Sequence, residues 1–253
     1  MEVNMQRLFL ACVFMFLLPV ASQAITFAQL ALGGGYEAVL LISNKTNHGW
    51  SGTIWVSRGF DQRWEGRWAI NGEDRTGTDG TTVTIPRRGL VKLRLTGDSV
   101  TRAGYLEVKS DFSYSDLDIA VSYFYEYRIA GVLKDTVGSP ESPAGRSFVF
   151  AVERSSAIDT GIAWCPFSRI NVLPFQINLT LYDQDGNVAR QRSYDFIGHQ
   201  AQFLTQLFTD LPSPFVGHLA IESLEYFYLE VLRLETTPTG FQLTSTPADN
   251  HIP

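Results

Sequence analysis

Beyond residue 24 the chain is a succession of short apolar or alternating runs, each closed by glycine, asparagine, aspartate or proline. Alternation with a period of two is the mark of a half-buried strand, and the turn residues supply the punctuation between strands. The pattern predicts strands over 38–42, 53–57, 67–70, 81–85, 90–95, 104–109 and 119–127. A second series follows over 148–152, 161–165, 175–182, 192–196, 217–221 and 228–234. Asn71-Gly72, Asp79-Gly80 and Arg88-Gly89 mark turns where a positive φ costs little. One stretch leaves this rhythm. Phe203, Leu204, Leu207, Phe208 and Leu211 recur at helical spacing before Pro212, which predicts a short helix over 200–209, packed over the end of the second series.

Between the two series, residues 137–146 hold two prolines and two glycines, a composition that reads as a linker. The halves resemble each other. Residues 36–44 can be laid over 159–167, and 102–110 over 215–223, the latter with Gly, Leu and Ser in register. About seven strands in ~100 residues is the size of an immunoglobulin-like sandwich. The expected fold class is all-β: two tandem immunoglobulin-like β-sandwiches, with one short helix in the second. The expected boundaries are a leader over 1–24, a first domain over 25–137, a linker over 138–146 and a second domain over 147–253. The rival arrangement is one larger sandwich or barrel.

The leader has an apolar core over 8–20, followed by Ser22-Gln23-Ala24, whose small residues suit a signal peptidase. That core would make ~20 Å of helix against a ~30 Å hydrocarbon layer, so it is read as a cleaved export signal and not as an anchor. The mature chain is expected to begin at Ile25, to lie outside the cytoplasm or at the cell surface, and to have no membrane span. Of the two cysteines only Cys165 survives cleavage. It sits in an apolar run and is expected to be a buried, inert thiol.

The chain is too hydrophobic (45%) and too aromatic (13%) for disorder. Its net charge of −6 carries no nucleic-acid footprint. The charge is uneven: residues 25–139 carry 13 cationic and 13 acidic side chains, whereas 140–253 carry 6 arginines, no lysine and 12 carboxylates. An acidic second half repels polyanions.

Candidate chemistry is sparse. Asp183-Gln-Asp-Gly-Asn187 has calcium-like spacing, but its glycine falls two places early for that loop, and a tight turn explains the same residues. The four histidines lack metal-ligand spacing, and Gly33-Gly34-Gly35 precedes a strand and not a helix, which speaks against a phosphate cradle. No catalytic residue, metal site or cofactor is predicted. The carboxylates, Asp111, Asp116 and Asp118 among them, leave a glycosidase pair open, because such a pair is defined by distance in space. The feature that points to binding is aromatic. Phe60, Trp64 and Trp68 stand among Arg58, Asp61, Arg63, Glu65 and Arg67, a polar setting that suits an exposed surface for a glycan or protein partner. Trp55, within a strand, is expected in the core. The rival reading folds the 60–68 segment back onto the sandwich.

Residues 27–36 (Phe27-Ala-Gln-Leu-Ala-Leu-Gly-Gly-Gly-Tyr36), the 182–187 hairpin and the 203–223 stretch together resemble a family of exported bacterial tandem β-sandwich proteins. The likeness covers nearly all of the mature chain, and the segment 60–68 is longer and more aromatic than the family's usual hairpin. The resemblance implies a cell-envelope or extracellular bacterial protein without established catalytic residues. The functional expectation is a non-enzymatic structural, adhesive or partner-binding role. The alternative is a carbohydrate-active protein, a glycan-binding accessory or a glycoside hydrolase.

Overall fold

The computed structural model describes residues 24–57, 66–77, 80–111, 114–167, 174–196, 198–237, 240–246 and 248–250. The leader (all but Ala24), Phe60 and Trp64 therefore lie outside the described residues.

Residues 25–139 form a first lobe of ten strands: β1 Ile25–Leu32, β2 Tyr36–Asn44, β3 Trp50–Ser57, β4 Gly66–Ile70, β5 Glu73–Gly77, β6 Gly80–Ile85, β7 Leu90–Thr96, β8 Arg102–Ser110, β9 Ile119–Ile129 and β10 Val132–Ser139. They pair antiparallel in two sheets, ordered β1-β8-β3-β6 and β10-β9-β2-β7-β4-β5. Each sheet turns one face inward because its apolar residues recur at every second position. In β3, Trp50, Gly52, Ile54 and Val56 are buried while the residues between them are half-buried. The shared core joins Phe27, Leu30, Ile54 and Leu106 of one sheet to Leu40, Trp68, Leu93 and Tyr123 of the other. Two-residue turns at Asn71-Gly72 and Ala130-Gly131, with φ of 51°, 89°, 49° and 79°, close the β4–β5 and β9–β10 hairpins.

Residues 144–250 form the second lobe: β11 Ala144–Arg154, β12 Ile158–Pro166, β13 Phe175–Asp183, β14 Val188–Phe196, β15 Gln200–Phe203, α1 Leu204–Leu207, β16 Phe215–Thr237, β17 Gly240–Thr246 and β18 Asp249–Asn250. Here the two layers share one strand. Residues 215–223 of β16 pair with β11 and β13, and residues 227–237 pair with β12 and β17. Phe148, Ile177, Leu179 and Leu219 of one layer meet Trp164, Phe227, Leu229 and Val231 of the other in a second core. The molecule is thus all-β and sandwich-like, with a single α-helical turn among the described residues.

Three sequence expectations change. The 200–209 helix shrinks to four residues, because Gln200–Phe203 instead pairs with β12 as a strand. Leu204, Leu207, Phe208 and Leu211 are nonetheless all buried, so the apolar stripe marked a buried face and overstated the helix. The two strands expected over 217–221 and 228–234 are one strand of 23 residues. The Pro/Gly stretch 137–146 is not a free linker either. β10 runs through Ser139 and β11 begins at Ala144, which leaves four residues, 140–143, between them. Its prolines fall in that gap, where no ladder needs their missing N–H.

Candidate functional site

The lobes meet across a junction that the sequence did not announce. β1 packs against β12 and β16, β8 against β15, and β10 against β17. Ala28 and Tyr105 of the first lobe form a small buried cluster with Cys165 and Tyr228 of the second. Cys165 is buried and, among the described residues, takes part in no disulfide.

β1 is an edge strand, and a register shift between Phe27 and Leu30 leaves Ala28 and Gln29 out of its ladder with β8. Unpaired backbone groups on an edge need other partners when buried. The Gln29 N–H donates to Glu230 Oε2 at 3.1 Å, and the Ala28 N–H to Ser142 Oγ at 2.7 Å. The Ser142 N–H donates to the Thr26 carbonyl at 2.8 Å, and the Tyr125 hydroxyl donates to the Gln29 carbonyl. Ser139 Oγ donates to Glu230 Oε1 at 2.6 Å. One carboxylate from β16 therefore ties together the β1 edge and the connection between lobes.

Glu230 is 4% exposed, and burial pushes its carboxyl up to about 7 despite hydrogen bonds from Ser139, Gln29 and Ser142 that pull it down. Burial likewise drives Tyr123 and Tyr125 well above the ordinary phenol value, with the Glu230 charge adding to the effect in both. On the other side of β1, His199 stacks on Tyr105 at 6.3 Å between ring centroids. Burial pushes its imidazole down to about 4, against a hydrogen bond to the Ala28 backbone. Its Nε2 is buried without a partner among the described residues.

Beside this junction lies a cleft of about 790 Å³ between the lobes. β1, β2 and β9 contribute Gln29, Tyr36 and Tyr125 to its wall; β15 and β16 contribute Gln202, Phe203 and Leu232. Burial raises the Tyr36 phenol far above its ordinary value, with the Tyr127 and Asp135 charges acting in the same direction. The amide oxygens of Gln29 and Gln202 are buried and have no hydrogen-bond partner among the described residues. Small residues make the cleft possible: Ala31, Ala103, Gly161, Ala163 and Ala201 all line it. In sequence these residues look like ordinary strand positions. Only the docking of two lobes converts their small size into a volume.

Of the aromatic residues singled out by sequence, Trp68 is 1% exposed and belongs to the first core. Its indole is not on an exposed face. The arginines around it misled because β4 turns only one face to the core, so its alternate residues, such as exposed Arg67, point outward. Trp55 is the converse: half-buried on the outward face of β3, its ring lies over Gly80, where an added Cβ would come within 2.7 Å of it. The Asp183 carboxylate accepts the N–H groups of Asp185 and Asn187 at 3.0 and 2.8 Å, and these hydrogen bonds hold its pKa below the ordinary value. That is a turn satisfying itself.

Gly33, Gly34 and Gly35 carry φ of 86°, 61° and 98° where the chain crosses from one sheet to the other. An added Cβ would fall 2.2 Å from the Val100 carbonyl oxygen at Gly33 and 2.4 Å from that of Arg128 at Gly35. The glycines serve a close-packed crossing.

No family model matches the chain. No curated protein matches it either. Among solved structures it is similar to a tryptophan-to-phenylalanine variant of oxalate decarboxylase from B. subtilis, at 15% identity and a TM-score of 0.24 over 85% of this chain and 70% of that one. It is also similar to the Streptomyces avermitilis alpha-L-rhamnosidase complexed with L-rhamnose, at 9% identity and a TM-score of 0.25, over 92% of this chain and 27% of that one. Likenesses of this size carry no argument about activity.

Proposed function

We propose that the protein is an exported, non-enzymatic binding protein of the bacterial cell envelope or exterior, and that the interlobe cleft is where it binds. The observation that supports this most is the cleft itself. Small-molecule sites are concave, mostly apolar, and favour junctions between folded units. Here the junction is braced by a buried hydrogen-bonded carboxylate, so the cleft walls are held before any ligand arrives. The leader and the motifs shared with exported tandem sandwich proteins support the location and the immunoglobulin-like kinship. A glycoside hydrolase would need two facing carboxylates. Among the described lining residues of the cleft there is no Asp or Glu.

The test is to express the full chain in a bacterial host, recover it from the periplasm or medium, and measure it by native mass spectrometry. Wild type is expected to start at Ile25 and to carry a co-purifying mass that the cleft-filling variant Ala201→Trp lacks. A cytosolic chain starting at Met1, or identical bound masses in both proteins, overturns the proposal.

A further inference from the structure

The cleft walls define the chemistry of a guest more narrowly than its volume does. Tyr36, Tyr125, Phe203, Leu232, Leu234 and Leu243 offer ring and aliphatic surface. Among the described lining residues none is Asp, Glu, Lys, Arg or His. A charged guest would give up its hydration there with no counter-charge to replace it, which is strongly unfavourable. An uncharged guest gains from every apolar contact.

Two of the polar residues that line the cleft hold acceptors in want of donors. Gln29 Oε1 and Gln202 Oε1 are buried without a hydrogen-bond partner among the described residues, and buried polar atoms in native proteins almost always have one. They come from opposite lobes, one on β1 and one on β15. Both rest on fixed backbone. Gln29 is held at its N–H by Glu230 and at its carbonyl by Tyr125, and Gln202 is paired with Ile162 of β12. Two acceptors held at set positions reward a guest that presents donors and penalise one that does not.

We infer that the cleft takes an uncharged, largely hydrophobic molecule whose N–H or O–H donors are accepted by the amide oxygens of Gln29 and Gln202, one from each lobe. This rests on the cleft being the binding place, as proposed above.

The test uses N-phenyl-1-naphthylamine, an uncharged aromatic fluorophore with one N–H, titrated into the full chain. Its sulfonated counterpart, 1-anilinonaphthalene-8-sulfonate, has the same rings and amine plus a negative charge, so the pair isolates the effect of charge. The uncharged probe is expected to bind saturably and at least ~10-fold more tightly than the sulfonate. Replacing both Gln29 and Gln202 by Leu removes whichever acceptor the probe's single N–H uses and should weaken its binding ~5- to 10-fold. Ala201→Trp should abolish binding with the melting temperature preserved, and Thr236→Trp, at another point of the cleft, provides the same test if that variant misfolds. Equal or tighter binding of the sulfonate, or binding that survives both filling substitutions, overturns the inference. If neither probe binds while Ala201→Trp still strips a mass from the exported protein, the ligand class is wrong and the binding place stands. If filling the cleft changes nothing in either experiment, both fail.

Discussion

The two lobes repeat one pattern of strand pairing with different connections. In the first, β6-β3-β8-β1 makes one layer and β10-β9-β2-β7 most of the other. In the second, β14-β13-β16-β11 makes the corresponding layer, while β17, the far half of β16, β12 and β15 make its partner. Gly104, Leu106 and Val108 of β8 face Leu30, Phe27 and Ile25 of β1; Gly217, Leu219 and Ile221 of β16 face Val152, Phe150 and Phe148 of β11. The difference is in the crossing that follows. The first lobe uses 111–118, with a 3₁₀ turn at Asp116–Asp118 capped by Ser115. The second uses only 224–226, so β16 stays continuous through both layers. The pairing pattern is the stable quantity, and the length of the crossing decides whether two sheets or one results.

The turns between the first two strands of each lobe make the same point. The Gly33 N–H donates to the Tyr36 carbonyl at 2.9 Å, and the Ser155 N–H to that of Ile158 at 2.8 Å. That equates Tyr36 with Ile158, one residue away from the register suggested by sequence, and a one-residue slip exchanges the faces of a strand. The glycine turn is wedged against Val100, Thr101 and Arg128, whereas the serine turn is stabilised by Ser155 Oγ, which accepts from Ala157 and Ile158. Each lobe also has an addition of its own: β4 and β5 extend the first, and α1 packs beneath the second core.

The largest expected effect separates the two indoles of the first lobe. Trp68→Ala should lower stability by ~3–5 kcal/mol, and Trp55→Ala by clearly less, because only the former empties the core. Melting curves of the pair would sink this placement if the order reversed. A serine exchanged between the equivalent turns comes next. Gly33→Ser forces a Cβ onto the Val100 carbonyl at positive φ and should lower stability by ~2–4 kcal/mol in urea titrations. The reciprocal Ser155→Gly should cost only ~1 kcal/mol, the loss of its side-chain hydrogen bonds. Similar costs at both sites would mean that the two turns are not distinguished by packing.

The junction supplies a pH signature. Glu230, raised to about 7 from an ordinary 4.5, favours the protonated form when folded, so its contribution is present below 4.5 and lost as pH rises through 7. His199, lowered to about 4 from 6.5, acts in the opposite sense: its contribution is present above 6.5 and lost as pH falls through 4. Between about 4.5 and 6.5 the two slopes oppose each other and largely cancel. Glu230→Gln removes one of them. Its stability relative to wild type should rise by on the order of 3 kcal/mol from pH 4.5 to 7, read from urea midpoints across that range. A flat difference would show that the carboxyl titrates normally. The smallest effect expected is at α1. Thr205 Oγ1 donates to Asp159 Oδ2 at 2.6 Å, so Thr205→Ala should cost ~1 kcal/mol, well short of the ~2–5 kcal/mol for Leu207→Ala.

Most of the expected strands, the Asn71-Gly72 and Arg88-Gly89 turns and the burial of Leu204, Leu207, Phe208 and Leu211 could be read from residue order, because period, turn chemistry and apolar spacing are local properties of a chain. β1, β5, β10, β15 and β17 stood outside the expected series. The resemblance of 102–110 to 215–223 was legible for the same reason, since both segments meet equivalent partners. What tertiary structure alone decided was everything that depends on which surfaces meet. Trp68 went inward because β4 joined the sheet beside β7, which no feature of its charged neighbours could foretell. Glu230 sits in an apolar run and looks like a lapse in the pattern until β1 presents an unpaired Gln29 N–H to it. The cleft is the extreme case. Its walls come from strands far apart in sequence, and each lining residue is an ordinary strand position until two separately formed cores dock and leave a gap between them.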